Sequence, residues 1–292
     1  MKIVLFGKEG QLGWEFQRTL PVLGDVASWG REQVDFCDLD AIQKTLKESK
    51  PNLIVNASAY TDVDGAENET EAAMKINALA PGIMAEMARN LGAVLIHYST
   101  DYVFDGKRHS PYTESDQTNP LNVYGKSKLI GEENIQQAGD AYLILRTSWV
   151  YSLRGNSFVN KVLGWARTND LLRIVDDQIG NPTWARMLAE TTNLLLGKNS
   201  VNLYETIRER RGVYHLAGHG YTSRYEWAKQ ILINDPEPSE QVVKTLQPAR
   251  SEEFSTPAVR PLFSALDCTR FERIFGLRLP SWEGTLKLAL SR

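Results

Sequence analysis

The chain opens on an apolar run, Lys2-Ile-Val-Leu-Phe6, which lacks the alternation of a half-exposed strand. It predicts a strand covered on both faces, as in a parallel sheet. Similar runs recur at Asp25-Val-Ala-Ser-Trp29, Asn52-Leu-Ile-Val-Asn56, Ala93-Val-Leu-Ile-His-Tyr98 and Tyr142-Leu-Ile-Leu-Arg146. Helical patterns lie between them: Trp14–Leu20, residues 38–49 with Asp38 at the N-cap position, residues 70–91, and Tyr124 to about Ala138. Residues 99–123 show little periodicity, carry Gly106, Pro111 and Pro120, and read as a long loop. Strand alternating with helix predicts an α/β fold, a Rossmann-type doubly wound parallel sheet, over residues 1–150. Over residues 151–292 short runs are broken by proline and glycine, which predicts a smaller mixed α/β region.

Composition narrows the partners more than the fold. At 292 residues the chain can bury a substantial core. A formal net charge of −3 carries no sign of a nucleic-acid-binding field. No apolar run approaches the length of a membrane span, and the first six residues are too short for a signal peptide. Cys37 and Cys268 form neither a disulfide framework nor a zinc spacing, and the histidines have no metal spacing. The expectation is a cytoplasmic protein with neither nucleic acid nor membrane as partner.

Candidate chemistry sits at the ends of the predicted strands. Gly7-Lys-Glu-Gly10-Gln11-Leu12-Gly13 joins the first strand to the first helix, where glycines let backbone approach a pyrophosphate and the helix dipole favours the anion. Its spacing, Gly-x-x-Gly-x-x-Gly, differs from the dinucleotide fingerprint Gly-x-Gly-x-x-Gly. After the second strand, Trp29-Gly-Arg31-Glu32 has glycine where an acid would hold an NAD ribose, and Arg31 offers a planar fork to the NADP phosphate. NADPH is therefore the expected cofactor, with NADH as the alternative because Glu32 would repel the phosphate. Tyr124 and Lys128 stand four residues apart, one helical turn, on the same face. A phenol ionises near pH ~10, and a neighbouring ammonium favours the phenolate. The pair can then exchange a proton with a substrate oxygen that Thr100, in Ser99-Thr100-Asp101, would hold.

These motifs together resemble the extended short-chain dehydrogenase/reductases. The longer phrases Phe6-Gly-Lys-Glu-Gly-Gln-Leu-Gly-Trp-Glu15, His97-Tyr-Ser-Thr-Asp-Tyr-Val-Phe104, Pro120-Leu-Asn-Val-Tyr-Gly-Lys126, Arg146-Thr-Ser-Trp-Val-Tyr151 and Asp177-Gln-Ile-Gly-Asn-Pro-Thr183 resemble, within that class, the dTDP-4-dehydrorhamnose reductases. The resemblance implies reduction of the 4-keto group of a dTDP-linked 6-deoxy sugar to dTDP-L-rhamnose. It implies a catalytic set of Thr100, Tyr124 and Lys128, with Lys128 also on the nicotinamide ribose. Ser58, Ala59, Tyr60 and Tyr98 match positions lining the dinucleotide, Asp38 and Leu39 positions flanking the adenine, and Asp101 and Trp149 positions contacting substrate. Arg260 would supply charge to the substrate diphosphate, and Asn77 would either support the catalytic lysine or face solvent. The region 151–292 would bind the substrate and interleave with the first. Other readings are a different NDP-4-keto-sugar reductase or epimerase, or a non-catalytic NADP-binding regulatory subunit.

One departure concerns metal. Some relatives are described as dimers that gather glutamates from three stretches around magnesium, and Glu15 and Glu283 stand at two of those positions. The third is Arg186, a cation that disfavours the ion, so no metal is expected and the chain is either a monomer or a homodimer.

Overall fold

The five predicted strands all form, and all lie parallel in one six-stranded sheet. In the computed structural model, which describes residues 1–291, the order across the sheet is Gly212–His215, Tyr142–Thr147, Val94–Thr100, Leu53–Asn56, Lys2–Phe6 and Asp25–Trp29. The sixth strand comes from the second half of the chain and pairs with the fifth, Val213 opposite Ile144. The first strand lies between the second and third, so the winding reverses beside it, and ligands of such sheets bind at the carboxyl edge of that switch point.

Alternate residues of each strand feed two apolar layers. Ile3 and Leu5 pack with Phe16, Leu188, Leu195 and Ile207 on one face. Val4 and Phe6 pack with Ile42, Leu46, Met84 and Ile135 on the other. Beyond residue 150 the mixed region builds its own cluster around Tyr151, Val162, Trp227 and Trp282, with short two-stranded pairings at its rim.

Two local differences from the predicted elements shape the site. The fourth strand runs on to Thr100, which pairs with Thr147, so Ser99 and Thr100 lie on the strand and not in a turn beyond it. The helical pattern 70–91 is interrupted, with a π turn at Lys75–Leu79 between helices Thr70–Met74 and Ala80–Leu91. Pro81 has no N–H to give the carbonyl four residues back, and the wider turn absorbs that missing bond. A short helix, Gly65–Asn68, was not anticipated.

The helix Val123–Ala138 docks unusually close to its neighbours because of two glycines. A methyl group at Gly125 would run into the Tyr102 carbonyl, and one at Gly131 into the Asn77 carbonyl at the π turn. At both positions the nearest obstacle is backbone, not the end of a flexible side chain. Gly131→Ala should therefore destabilise the protein by about 1–3 kcal/mol, the usual cost of overpacking. Urea unfolding measures this, and an unchanged midpoint would show that the contact is soft.

Candidate active site

The glycine turn builds one wall of the site. Gly7 adopts φ 86°, a left-handed conformation, and any side chain there would collide with the backbone of Ala57 and Ser58. Gly13 seats the helix Gln11–Thr19 against the turn, since a methyl group on it would strike the Gly7 carbonyl. Gly10 caps that helix without any side-chain acceptor for its first N–H groups. The helix start opens onto a cavity of about 650 Å³ along the carboxyl edge of the sheet.

Across the cavity stand Thr100, Tyr124 and Lys128. The strand end Val94–Thr100 carries the threonine, and Asn122 caps the helix of the other two, accepting from Gly125 N–H. Burial pushes the Tyr124 pKa up, Asp101 and Tyr102 adding to the effect and the Thr100 hydroxyl opposing it. The expected depression of the phenol by Lys128 is not what the structure shows. The Lys128 ammonium turns inward, donating to the Tyr98 carbonyl at 2.6 Å and lying 3.3 Å from His97 Nε2. Burial lowers its pKa to about 8, against the opposing pull of Glu132. Desolvation dominates both groups, so the phenol stays protonated at neutral pH.

The lysine's surroundings also correct the solvent-facing reading of Asn77. It is buried, clamps Tyr60 by accepting from its N–H (2.9 Å) and donating to its carbonyl (3.0 Å), and donates to Ser127 Oγ (3.0 Å). It does not face solvent, and among the described residues no hydrogen bond joins it directly to the lysine. His97 takes the adjacent place instead, held by Asn56 Nδ2 at 3.0 Å and kept neutral by burial and by the lysine's charge.

Gln11, Leu12, Arg31, Ser58, Ala59, Tyr98, Asp101 and Trp149 line the same cavity. Gly13, Asp38, Leu39, Tyr60 and Arg260 do not line it. Asp38 caps the helix Leu39–Ser49 by accepting from Ala41 N–H at 3.0 Å, and Leu39 borders a different groove. The Tyr60 hydroxyl turns to Glu69, 3.1 Å away. Arg260 is engaged by Asp64, with contacts of 3.1 and 2.6 Å to the two carboxylate oxygens. Arg186 is exposed and donates to Glu190 at 2.7 Å. Among the described residues no cluster of potential metal ligands forms.

Several lining residues carried no signal that the motifs could supply. Tyr102 stands edge-on to Tyr124, ring centroids 5.7 Å apart. Arg224 reaches the cavity from the mixed region, and Glu9 from the glycine turn. The Glu9 carboxylate fills the space over Gly30, so an acid does reach the neighbourhood of Arg31, though from a different element. Buried Gln11 Oε1 and Thr147 Oγ1 have no partner. Both residues line the cavity, and unsatisfied polar atoms there fit a ligand rich in donors, such as a dinucleotide. Trp149 takes φ 44°, a conformation rare outside glycine, and its indole leaves no room for a side chain at Gly180.

Comparison with known proteins gives a consistent picture. The family described as RmlD substrate binding domain matches residues 1–292. A dTDP-4-dehydrorhamnose reductase of Burkholderia thailandensis is 38% identical over 299 residues, covering 99% of this chain and 98% of the relative. The crystal structure of a dTDP-4-dehydrorhamnose reductase from Clostridium acetobutylicum superposes with a TM-score of 0.90 at 35% identity, covering 99% of this chain and 98% of that one. Another from Bacillus anthracis, solved in complex with NADP, gives 0.87 at 34% identity, covering 98% and 97%.

Asp101 provides a pH test of the site's interior. Burial raises its pKa from 3.8 to about 6, against hydrogen bonds from Ser264, Ser148 and Thr100. A raised carboxyl contributes stability below its unfolded pKa, and that contribution is lost as pH rises through the folded one. Asp101→Asn does not titrate, so the wild type should lose about 3 kcal/mol relative to it between pH ~4 and ~7. Denaturant unfolding across that range reads the difference. A gap that stays constant with pH would contradict the buried, reluctant carboxylate.

Proposed function

The chain belongs to the RmlD substrate-binding-domain family, the dTDP-4-dehydrorhamnose reductases of the short-chain dehydrogenase/reductase class, and from that membership we propose how its own residues work. The activity is NADPH-dependent reduction of dTDP-4-dehydro-6-deoxy-L-mannose to dTDP-L-rhamnose, in dTDP-rhamnose biosynthesis. The observation that carries the proposal is the convergence of Thr100, Tyr124 and Lys128 on one cavity with the glycine turn. Residues 1–150 chiefly hold the dinucleotide, and residues 151–292 chiefly hold the sugar nucleotide, interleaved with the first.

NADPH, when bound, supplies the hydride that the keto carbon accepts. The matching proton comes from the Tyr124 hydroxyl, whose raised pKa keeps it available at neutral pH. Thr100, lining the same cavity as that phenol, holds the same substrate oxygen as negative charge develops on it. Lys128 brings a positive charge to the base of the trio and would hold the nicotinamide ribose. Gly7, Gly10, Gln11 and Leu12 hold the pyrophosphate, with Ser58, Ala59 and Tyr98 along the dinucleotide. Arg31 meets the adenosine 2'-phosphate, while Glu9 and Glu32 temper that preference and leave NADH usable.

Two substitutions test these roles. Tyr124→Phe keeps the ring and deletes the proton donor, so kcat should fall by roughly 10²–10⁴-fold with little change in KM or in NADPH affinity. A variant that still reduced the keto sugar at close to the wild-type rate would refute the mechanism. Arg31→Ala removes a charge-assisted contact, so the KM for NADPH should rise roughly ten- to a hundredfold and that for NADH stay nearly constant. Equal effects on the two cofactors would remove Arg31 from phosphate recognition.

A further inference from the structure

The cavity contains a cation that the catalytic set does not use. Arg224 is the first residue of the helix Arg224–Ile233 and lines the cavity beside Asp101, Tyr102, Tyr124 and Trp149. Its guanidinium lies over the Trp149 ring, 3.7 Å from the centroid, with Phe158 at 4.9 Å and Trp227 at 5.4 Å behind it. Stacking of this kind holds the plane of the group and leaves its edge, which carries the N–H donors, free to turn towards a ligand. The Tyr102 phenol and the Asp101 carboxyl are the acidic groups that face it.

No carboxylate pairs with Arg224 among the described residues, although Asp101 is near enough for its charge to be felt. The other positive groups near the cavity are committed elsewhere. Lys128 points to Tyr98 and His97, Arg31 lies by the glycine turn, and Arg260 is held by Asp64. Burial lowers the Arg224 pKa to about 10, still far above neutrality, so the group remains a cation. Arg224 is half-buried, and holding a partly desolvated charge without a counter-ion carries a cost that an arriving anion offsets. The strained Trp149, on which the guanidinium rests, is the kind of feature that a binding site maintains.

We propose that Arg224 is the diphosphate-binding residue of the substrate subsite, gripping the sugar nucleotide's phosphate oxygens with its fork while Trp149 holds its plane. This rests on the sugar-nucleotide reading above and specifies its charged contact. Two phosphate groups bring negative charge, and a planar guanidinium matches their geometry better than an ammonium does. Trp149 thereby serves as the platform for the arginine, its indole face covered by the guanidinium.

Equilibrium binding to the full-length protein tests this without turnover. Calorimetric titration of dTDP, thymidine and NADPH should be compared for wild type, Arg224→Gln and Arg224→Lys. The expected result is a rise of roughly ten- to a hundredfold in the dTDP Kd for Arg224→Gln, with partial recovery in Arg224→Lys. Thymidine and NADPH should bind within about twofold of wild type, because neither places a phosphate on Arg224. An unchanged dTDP Kd, or equal losses for dTDP and thymidine, overturns the proposal. If the glutamine variant fails to fold, inorganic pyrophosphate displacing dTDP from the wild type supports the site, and failure to displace it overturns it. Preference of the wild type for UDP or GDP over dTDP would defeat the substrate assignment alone, and the Arg224 comparison would then be decided on the preferred nucleotide.

Discussion

A buried ion pair underlies the orientation of the catalytic helix. Glu132 is fully buried on Val123–Ala138, and Arg146 of the fifth strand reaches its carboxylate through Nε and a terminal nitrogen, the shortest contact being 2.6 Å. Ser99 of the fourth strand adds a hydroxyl at 2.5 Å. Losing one partner of such a pair typically costs about 3–5 kcal/mol, because the other charge is left uncompensated. The contact therefore fixes the rotation of the helix against two strands at once. Tyr124 and Lys128 stand eight and four residues before Glu132, on the same helical stripe, so fixing one directs all three. The carboxylate also favours the charged form of Lys128 against its burial.

Around this anchor, desolvation sets the character of the reacting groups. The phenol of Tyr124 and the carboxyl of Asp101 are both raised, and the amine of Lys128 is lowered. Each shift moves in the direction of the neutral form, as a poorly solvated wall requires. A proton donor for a ketone benefits from this, since it must carry its proton until the oxygen demands it. The price is a lysine that loses its charge at a lower pH than it would in water.

The second region contributes rigid charge more than it contributes chemistry. The helix Arg224–Ile233 is capped by Ser223, which accepts from Glu226 N–H at 3.1 Å, and Trp227 one turn on is buried in the third cluster. Arg224 is thus presented from an element with its own core. Trp149 bridges the two regions, stacked on Trp227 with centroids 5.6 Å apart and a left-handed backbone at the end of the fifth strand's connection. Strain at that residue is maintained by packing on both sides.

Strand positions, helix positions and the glycine turn were legible in the chain because they follow from local periodicity and backbone sterics. The runs at Lys2–Phe6 and Asp25–Trp29 became strands with those bounds, and Asp38 capped its helix as its residue type implied. Tyr124 and Lys128 share a face because four residues make about one turn. What tertiary structure alone decided were contacts between residues far apart in sequence. Arg260 looked available for a diphosphate until Asp64, 196 positions away, paired with it. Asn77 gripped Tyr60, 17 positions away, from within the π turn. Lys128 turned to Tyr98 and His97 because the fourth strand placed a carbonyl and a neutral ring beneath it. Arg224 entered the cavity because the helix that carries it packs Trp227 beside Trp149 at the cavity wall. Periodicity encodes which way a side chain faces, whereas the identity of its partner depends on how distant segments fold together.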